Sequence, residues 1–383
     1  MRLTPRELGI QIGAGKPGVY NAITDVPGVE VGHCTIIEGD GQLRVGSGPI
    51  RTGVTIIRPH RDIWEQPVFA GCHRLNGNGE LTGLEWVRES GMLTSPIGLT
   101  NTHSVGVVRD ALVANEVASR KADGGLFWGL PVVGETWDGV LNDLNGFHVH
   151  PQHVEIALAK ASSGRFDQGG VGSGTGMICH GFKGGIGSSS RVVDDPSGEY
   201  TVGVLVQANH GRRQRLAING APVGREITAD LVPTPEISGA RTEGAGSIIV
   251  VVATDAPLLP HQCRRLAQRA GLGIARTGGL GEHTSGDLMI CFSTANRGIQ
   301  SGELRDDAPA IFELRMLPDA RISALFEATV EATEEAIISA IFSAETMVGR
   351  DGITAHAIPT SQALDVLDHY RARSGGADGL NTL

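Results

Sequence analysis

The chain has 383 residues, 40% of them apolar and 19% charged, with a formal charge of -10 from 42 acidic and 32 basic side chains. These values suit a sizeable globular core and exclude a disordered chain. No basic block stands out, so the electrostatic footprint of a nucleic-acid or anionic-membrane partner is missing.

No apolar run near the middle of the chain exceeds IIVVVA by enough to approach the roughly 20 residues of a membrane helix. The opening MRLTPRELGIQIG lacks the apolar stretch of a signal peptide, and the reading is cytoplasmic. Five scattered cysteines (Cys34, Cys72, Cys179, Cys263, Cys291) with no CxxC pair read as buried thiols, not as disulfides or a zinc site. Glycine is the outlier, 55 residues in all, about twice the usual ~7%, which predicts many tight turns and close backbone approaches.

In chain order, GAGKPG at Gly13 to Gly18 fits GxGxxG, but Pro17, Pro27 and Gly28 predict turns where a dinucleotide site needs a helix N-terminus. Strands are predicted at Val54 to Pro59, Ser104 to Asp110, Leu130 to Thr136 and Thr201 to Asn209, with helices in ELTGLEWVRESG and VEIALAKASS between them. His148, His150 and His153 read as surface residues at a turn before a helix, with no metal. The glycine-rich segment from Gly169 to Arg191 can offer successive backbone N–H groups to an anion, or simply pack as turns.

The stretch from Gly211 to Gly246 mixes charge, proline and glycine and reads as a long exposed excursion. A buried strand follows at IIVVVATD, then a helix from Pro260 to Ala270 and a strand from Asp287. The longest helix starts near Pro318 and ends before Gly349. Its apolar face runs from Ile322 to Ala344, with Glu327, Glu331, Glu334 and Glu345 mostly turned away.

Polar residues punctuate the strand ends: Glu135 after LPVVG, Asn209 after TVGVLVQA, and Ser285 with Asp287 before LMICF. Each alone is an ordinary turn former. Four Gly-Ser pairs occur, at Ser47, Ser173, Ser188 and Ser247, and only Ser247 heads a buried apolar run. A hydroxyl there suits attack on the Gly246 carbonyl, since glycine has no Cβ to crowd it. The freed α-amine, with a pKa of about 7.7 to 8.0, would then lie beside the hydroxyl it activates.

The residues NAITDVPGVEVGH, NGNGELTGL, GETWDGVLNDLNG, GTGMICHGFKGGIGSSSR and TEGAGSIIVVVATDAPLLPHQ resemble the self-processing aminopeptidases that include L-aminopeptidase/D-amidase-esterase and the bacterial β-aminopeptidases. The resemblance implies an α-β-β-α sandwich over residues 1–383, cut between Gly246 and Ser247 into segments 1–246 and 247–383. It implies cofactor-free hydrolysis of small peptides, amides or esters bearing a free amine, in an oligomer, commonly a tetramer of cleaved heterodimers. By position Ser247 matches the nucleophile, Ser285 and Asp287 its orienting pair, Asn209 an oxyanion-stabilising amide, and Glu135 the carboxylate that binds the substrate amine. Trp137 lies near a tyrosine of the D-amidase branch, whose phenol chemistry an indole cannot supply. An acyltransferase resembling ornithine acetyltransferase is the alternative, disfavoured by serine at the cleavage position.

Overall fold

A computed structural model describes residues 3–120, 127–239, 246–299 and 311–371. In chain order the elements are β1 (Glu30–Glu38), β2 (Ile50–Arg58), β3 (Val68–Gly77), α1 (Leu84–Ser90), β4 (Met92–Leu93), β5 (Ile97–Asn101), α2 (Val105–Ser119), β6 (Val132–Thr136) and α3 (Pro151–Lys160). After them come β7 (Ile178–Cys179), β8 (Phe182–Lys183), β9 (Gly185–Asp195), β10 (Gly198–Ala208), α4 (Val223–Glu226) and β11 (Ile248–Thr254). The C-terminal part holds α5 (Pro260–Arg276), β12 (Gly286–Ser293), α6 (Ser323–Ser343), β13 (Met347–Val348), β14 (Thr354–Ala355) and α7 (Thr360–His369).

Two sheets dominate, a four-stranded one in the order β1-β2-β5-β6 and a six-stranded one in the order β4-β3-β12-β11-β10-β9. The period-two alternation of strand side chains explains how they stack. In β11, Ile248, Val250 and Val252 join a core with Leu266 and Ala270 of α5 and Ile337 and Ile341 of α6. Ile249, Val251 and Ala253 point the other way, into a second core with Ile57, Leu99 and Val132 of the smaller sheet. A third core sets Val54, Ile56 and Val133 against Val108 and Leu112 of α2 and Val154 of α3. Three cores separate four layers, the α-β-β-α sandwich expected.

The strand expected at Ser104 to Asp110 is instead the start of α2. Four apolar residues in a row, VGVV, do not distinguish a strand from a helix; Asn101 decides locally, its side chain accepting from His103 N–H at the turn that enters α2. The excursion after Gly211 is not simply exposed: Leu216, Ile218, Val223 and Ile227 join the α5–α6 core and Arg213 is buried. Its last part, 240–245, lies outside the described residues.

Helix α6 departs from its amphipathic reading too. Glu327 and Glu345 are exposed, but Glu331 and Glu334 are buried, as is Glu335. Fully buried Arg191 on β9 meets Glu331 at 2.9 Å and Glu335 at 2.6 Å, so the charges are paired where an isolated one would cost several kcal/mol. The Glu331 carboxylate also accepts from the N–H groups of Ala14 and Gly15, both at 2.9 Å. The turns of GAGKPG therefore grip a carboxylate of this chain with the backbone donors that a nucleotide site would use.

Candidate active site

Sheet register brings the strand-end residues together. Ala208 pairs with Ile248 across the antiparallel β10–β11 ladder, and Ile248 pairs with Asp287 across the parallel β11–β12 ladder. One step beyond, Asn209 N–H donates to the Ser247 carbonyl at 3.1 Å, and Gly286 N–H donates to Ser247 Oγ at 3.0 Å. Ser285 Oγ donates to Asp287 Oδ1 at 2.5 Å.

Burial pushes the Asp287 carboxyl up to about 6, against the hydrogen bonds from Ser285 and the Ile248 N–H. It is held there by backbone on one side and a hydroxyl on the other, with no arginine or lysine as partner among the described residues.

The Asn209 carboxamide is fixed at both ends: Oδ1 accepts from Ile178 N–H at 2.7 Å, and Nδ2 donates to the Trp137 carbonyl at 2.8 Å. An amide nitrogen has two N–H donors, so one stays free of that contact. Gly246 lies against this residue so closely that a Cβ would stand 1.8 Å from the Asn209 carbonyl oxygen. Only glycine fits there. The same holds at Gly286, where a Cβ would come within 2.5 Å of the Asn78 carbonyl and of Gly79 Cα.

A cavity of about 580 Å³ opens beside the serine, lined by Gly79, Glu80, Thr102, Glu135, Trp137, Gly246, Ser247 and Thr284 among others. Asn209, Ser285 and Asp287 stand behind Ser247 and are not part of its wall. Glu135 comes from β6 of the other sheet. Its Oε1 accepts from Glu80 N–H at 2.9 Å and its Oε2 from Thr102 Oγ at 2.5 Å. Burial nevertheless raises its carboxyl above the ordinary value, against the hydrogen bonds from Thr102 and Glu80. A larger cavity of about 690 Å³, near Tyr20, Phe166 and Gln168, contains none of the expected site residues.

Thr102, the backbone of Glu80 and the N–H of Gly286 were not expected from the sequence. Thr102 sits in an unremarkable LTNTHS turn, and backbone donors leave no side-chain signature. The histidines at 148, 150 and 153 are structural: His148 bonds to Asp143 at 2.8 Å, and His153 Nδ1 accepts from the His150 N–H that begins α3. All five cysteines are buried and free.

A serine heading an inner strand of a four-layer sandwich, beside a carboxylate-walled cavity, is an arrangement suited to a serine hydrolase. Comparisons agree. Residues 21–355 match peptidase family S58, and the chain belongs to that family, which makes it a peptidase. It is 47% identical over 375 residues to the β-peptidyl aminopeptidase BapA of Sphingosinicella microcystinivorans, covering 96% of this chain and 92% of that protein. Among solved structures, a Burkholderia sp. β-aminopeptidase superposes with a TM-score of 0.88 at 50% identity, covering 96% of this chain and 99% of the other. The L-aminopeptidase D-Ala-esterase/amidase of Ochrobactrum anthropi, described as a serine aminopeptidase with a variant of the Ntn hydrolase fold, gives 0.88 at 42% identity, with 97% and 99% covered.

Proposed function

We propose that the chain is an aminopeptidase that cuts its own Gly246–Ser247 bond and then uses Ser247 to release N-terminal residues, β-amino acids among them, from small peptides, amides and esters. The observation that carries this reading is the packing of Gly246 against Asn209 with Ser247 Oγ held by Gly286 N–H. In self-cleavage Ser247 Oγ adds to the Gly246 carbonyl carbon, and the free N–H of Asn209 meets the oxyanion. The Oγ proton passes to the Ser247 nitrogen, the C–N bond breaks, and an ester remains. Water hydrolyses it, leaving a Gly246 carboxylate and a Ser247 α-amine.

That amine would then act as the base for its own hydroxyl on substrate, oriented by Ser285, whose proton is already committed to Asp287. Glu135 would bind the substrate ammonium through a charge-assisted contact, with Trp137 shaping the wall beside it. The products of each turnover are an amino acid, formed from the Ser247 ester by water, and the departing amine or alcohol. The S58 match disfavours the acyltransferase alternative. No described helix is long and apolar enough to cross a membrane; a cytoplasmic, tetrameric enzyme of cleaved heterodimers completes the proposal.

Intact-mass measurement tests it. Wild-type protein should give two fragments, the second beginning at Ser247, and Ser247→Ala should stay whole and inactive. An uncleaved wild-type chain that still hydrolyses aminoacyl amides would overturn the reading.

A further inference from the structure

Behind the active site, Cys179, His180 and His210 are all buried, and one donor atom from each lies within 4.8 Å of the others. They come from two separate segments, β7 and the turn that follows β10, which is why no sequence spacing announces them. Cys179 Sγ stands 3.8 Å from His210 Nδ1, and the two imidazoles meet edge to face with centroids 5.2 Å apart. The Nε2 atoms of both His180 and His210 are buried with no hydrogen-bond partner, an arrangement that costs about 1–3 kcal/mol for each unmet group.

The surroundings set the tautomer of His180. His180 Nδ1 faces the Arg212 carbonyl at 3.2 Å; a proton on that nitrogen leaves the Nε2 lone pair free, the usual outer hydrogen bond of a metal-bound histidine. Two basic side chains nearby are occupied by carbonyls: Lys183 Nζ donates to those of Gly174, Met177 and Gly184, and Arg213 to those of His180, Gly181, Ile227 and Val232.

We propose that Cys179, His180 and His210 supply three donors to a borderline-soft divalent cation, with zinc the best match to one thiolate and two imidazoles and water taking the fourth tetrahedral position. Binding would expel the Cys179 proton to solvent and draw the donors in by roughly 1 Å, to the ~3.3–3.6 Å separations of a tetrahedral zinc site. The site does not line the cavity, so the ion has no contact with substrate. Its consequence is positional: Cys179 follows Ile178, whose N–H holds Asn209 Oδ1, and His210 follows Asn209 itself. One ion would clamp the two segments that fix this carboxamide.

The test uses the full chain produced in medium supplemented with zinc or, separately, cobalt, so that a buried site loads during folding. Elemental analysis after desalting should give about one zinc per chain, and the cobalt form should show tetrahedral d–d bands with a thiolate-to-cobalt charge-transfer band. Cys179→Ser should lose the charge-transfer band and His210→Gln should lower the metal content, while His148→Asn changes neither. Wild-type protein without stoichiometric metal overturns the proposal even if the variants fail to fold. So does a charge-transfer band that survives in Cys179→Ser. None of these readouts depends on peptidase activity.

Discussion

At the end of the six-stranded sheet, Ser247, Asn209 and Asp287 are held by the backbones of neighbouring strands, and each is at most 4% exposed. Across the cavity, Glu135 on the edge strand of the smaller sheet is held by one backbone N–H and one hydroxyl. Register sets the first group: Asp287 lies in the β11–β12 ladder, and Asn209 and Ser247 sit one residue beyond the β10–β11 ladder, joined by the Asn209 N–H to Ser247 carbonyl bond of 3.1 Å. Glu135 depends on two donors, and a carboxylate has about four acceptor positions, so it keeps capacity for a third partner. The side that would make and break bonds is rigid, and the side that would recognise an amine has its hydrogen-bonding capacity left open.

The largest effect should come from the rigid side. Asn209→Ala removes the donor placed beside Gly246 and should lower kcat by about 10²–10³, or roughly 2.7–4 kcal/mol, on every substrate, and slow self-cleavage as well. Rates on amide and ester substrates, measured beside the time course of fragment formation, check it. A loss confined to substrates with a free amine would place Asn209 in recognition and break the contrast.

Glu135→Gln should act selectively. Losing one charge-assisted contact, worth about 1.5–3 kcal/mol, should reduce kcat/KM on free-amine esters by roughly 10- to 150-fold. The residual hydrolysis of N-acylated esters should hardly change. Equal losses on both series would remove Glu135 from amine binding.

How much of this was legible depends on where the signal lives. Ser247, Asn209 and Asp287 could be picked out as polar residues at the ends of apolar runs, and the structure brings them together; the roles proposed for them came from the resemblance, not from the strand ends. Glu331 was misplaced because its partner, Arg191, lies 140 residues away, and local periodicity counts a glutamate as solvent-facing. Val105 to Asp110 was misread because a short apolar run carries no period. The Cys179–His210 proximity was hidden in the same way, by a contact between segments that only the β10 turn brings together. What the sequence hides throughout is pairing at long range and donors supplied by backbone.

A smaller effect sharpens the recognition side. Thr102→Val keeps the side-chain shape and removes the 2.5 Å hydrogen bond to Glu135 Oε2. A released carboxylate samples more orientations, so KM for free-amine substrates should rise about fivefold, near 1 kcal/mol, with kcat unchanged. Steady-state kinetics separate the two constants. A fall in kcat at constant KM would tie Thr102 to the chemistry instead.

The smallest effect concerns stability, and it isolates Asp287 from its function. In an uncleaved Ser247→Ala chain no α-ammonium faces this carboxyl, and burial lifts its folded pKa from 3.8 to about 6. An acid whose folded pKa is raised binds its proton more tightly when folded. Its contribution to stability therefore falls as pH rises from about 4 to about 6, and remains unfavourable above that range. Adding Asp287→Asn to Ser247→Ala removes the buried charge, so the Tm should rise at pH 8 and change less at pH 4, where the native carboxyl is already protonated. Equal shifts at both pH values would mean that ionisation of Asp287 is not what the fold resists. A gain at pH 8 alone would show that this end of the sheet carries a carboxylate against its own stability.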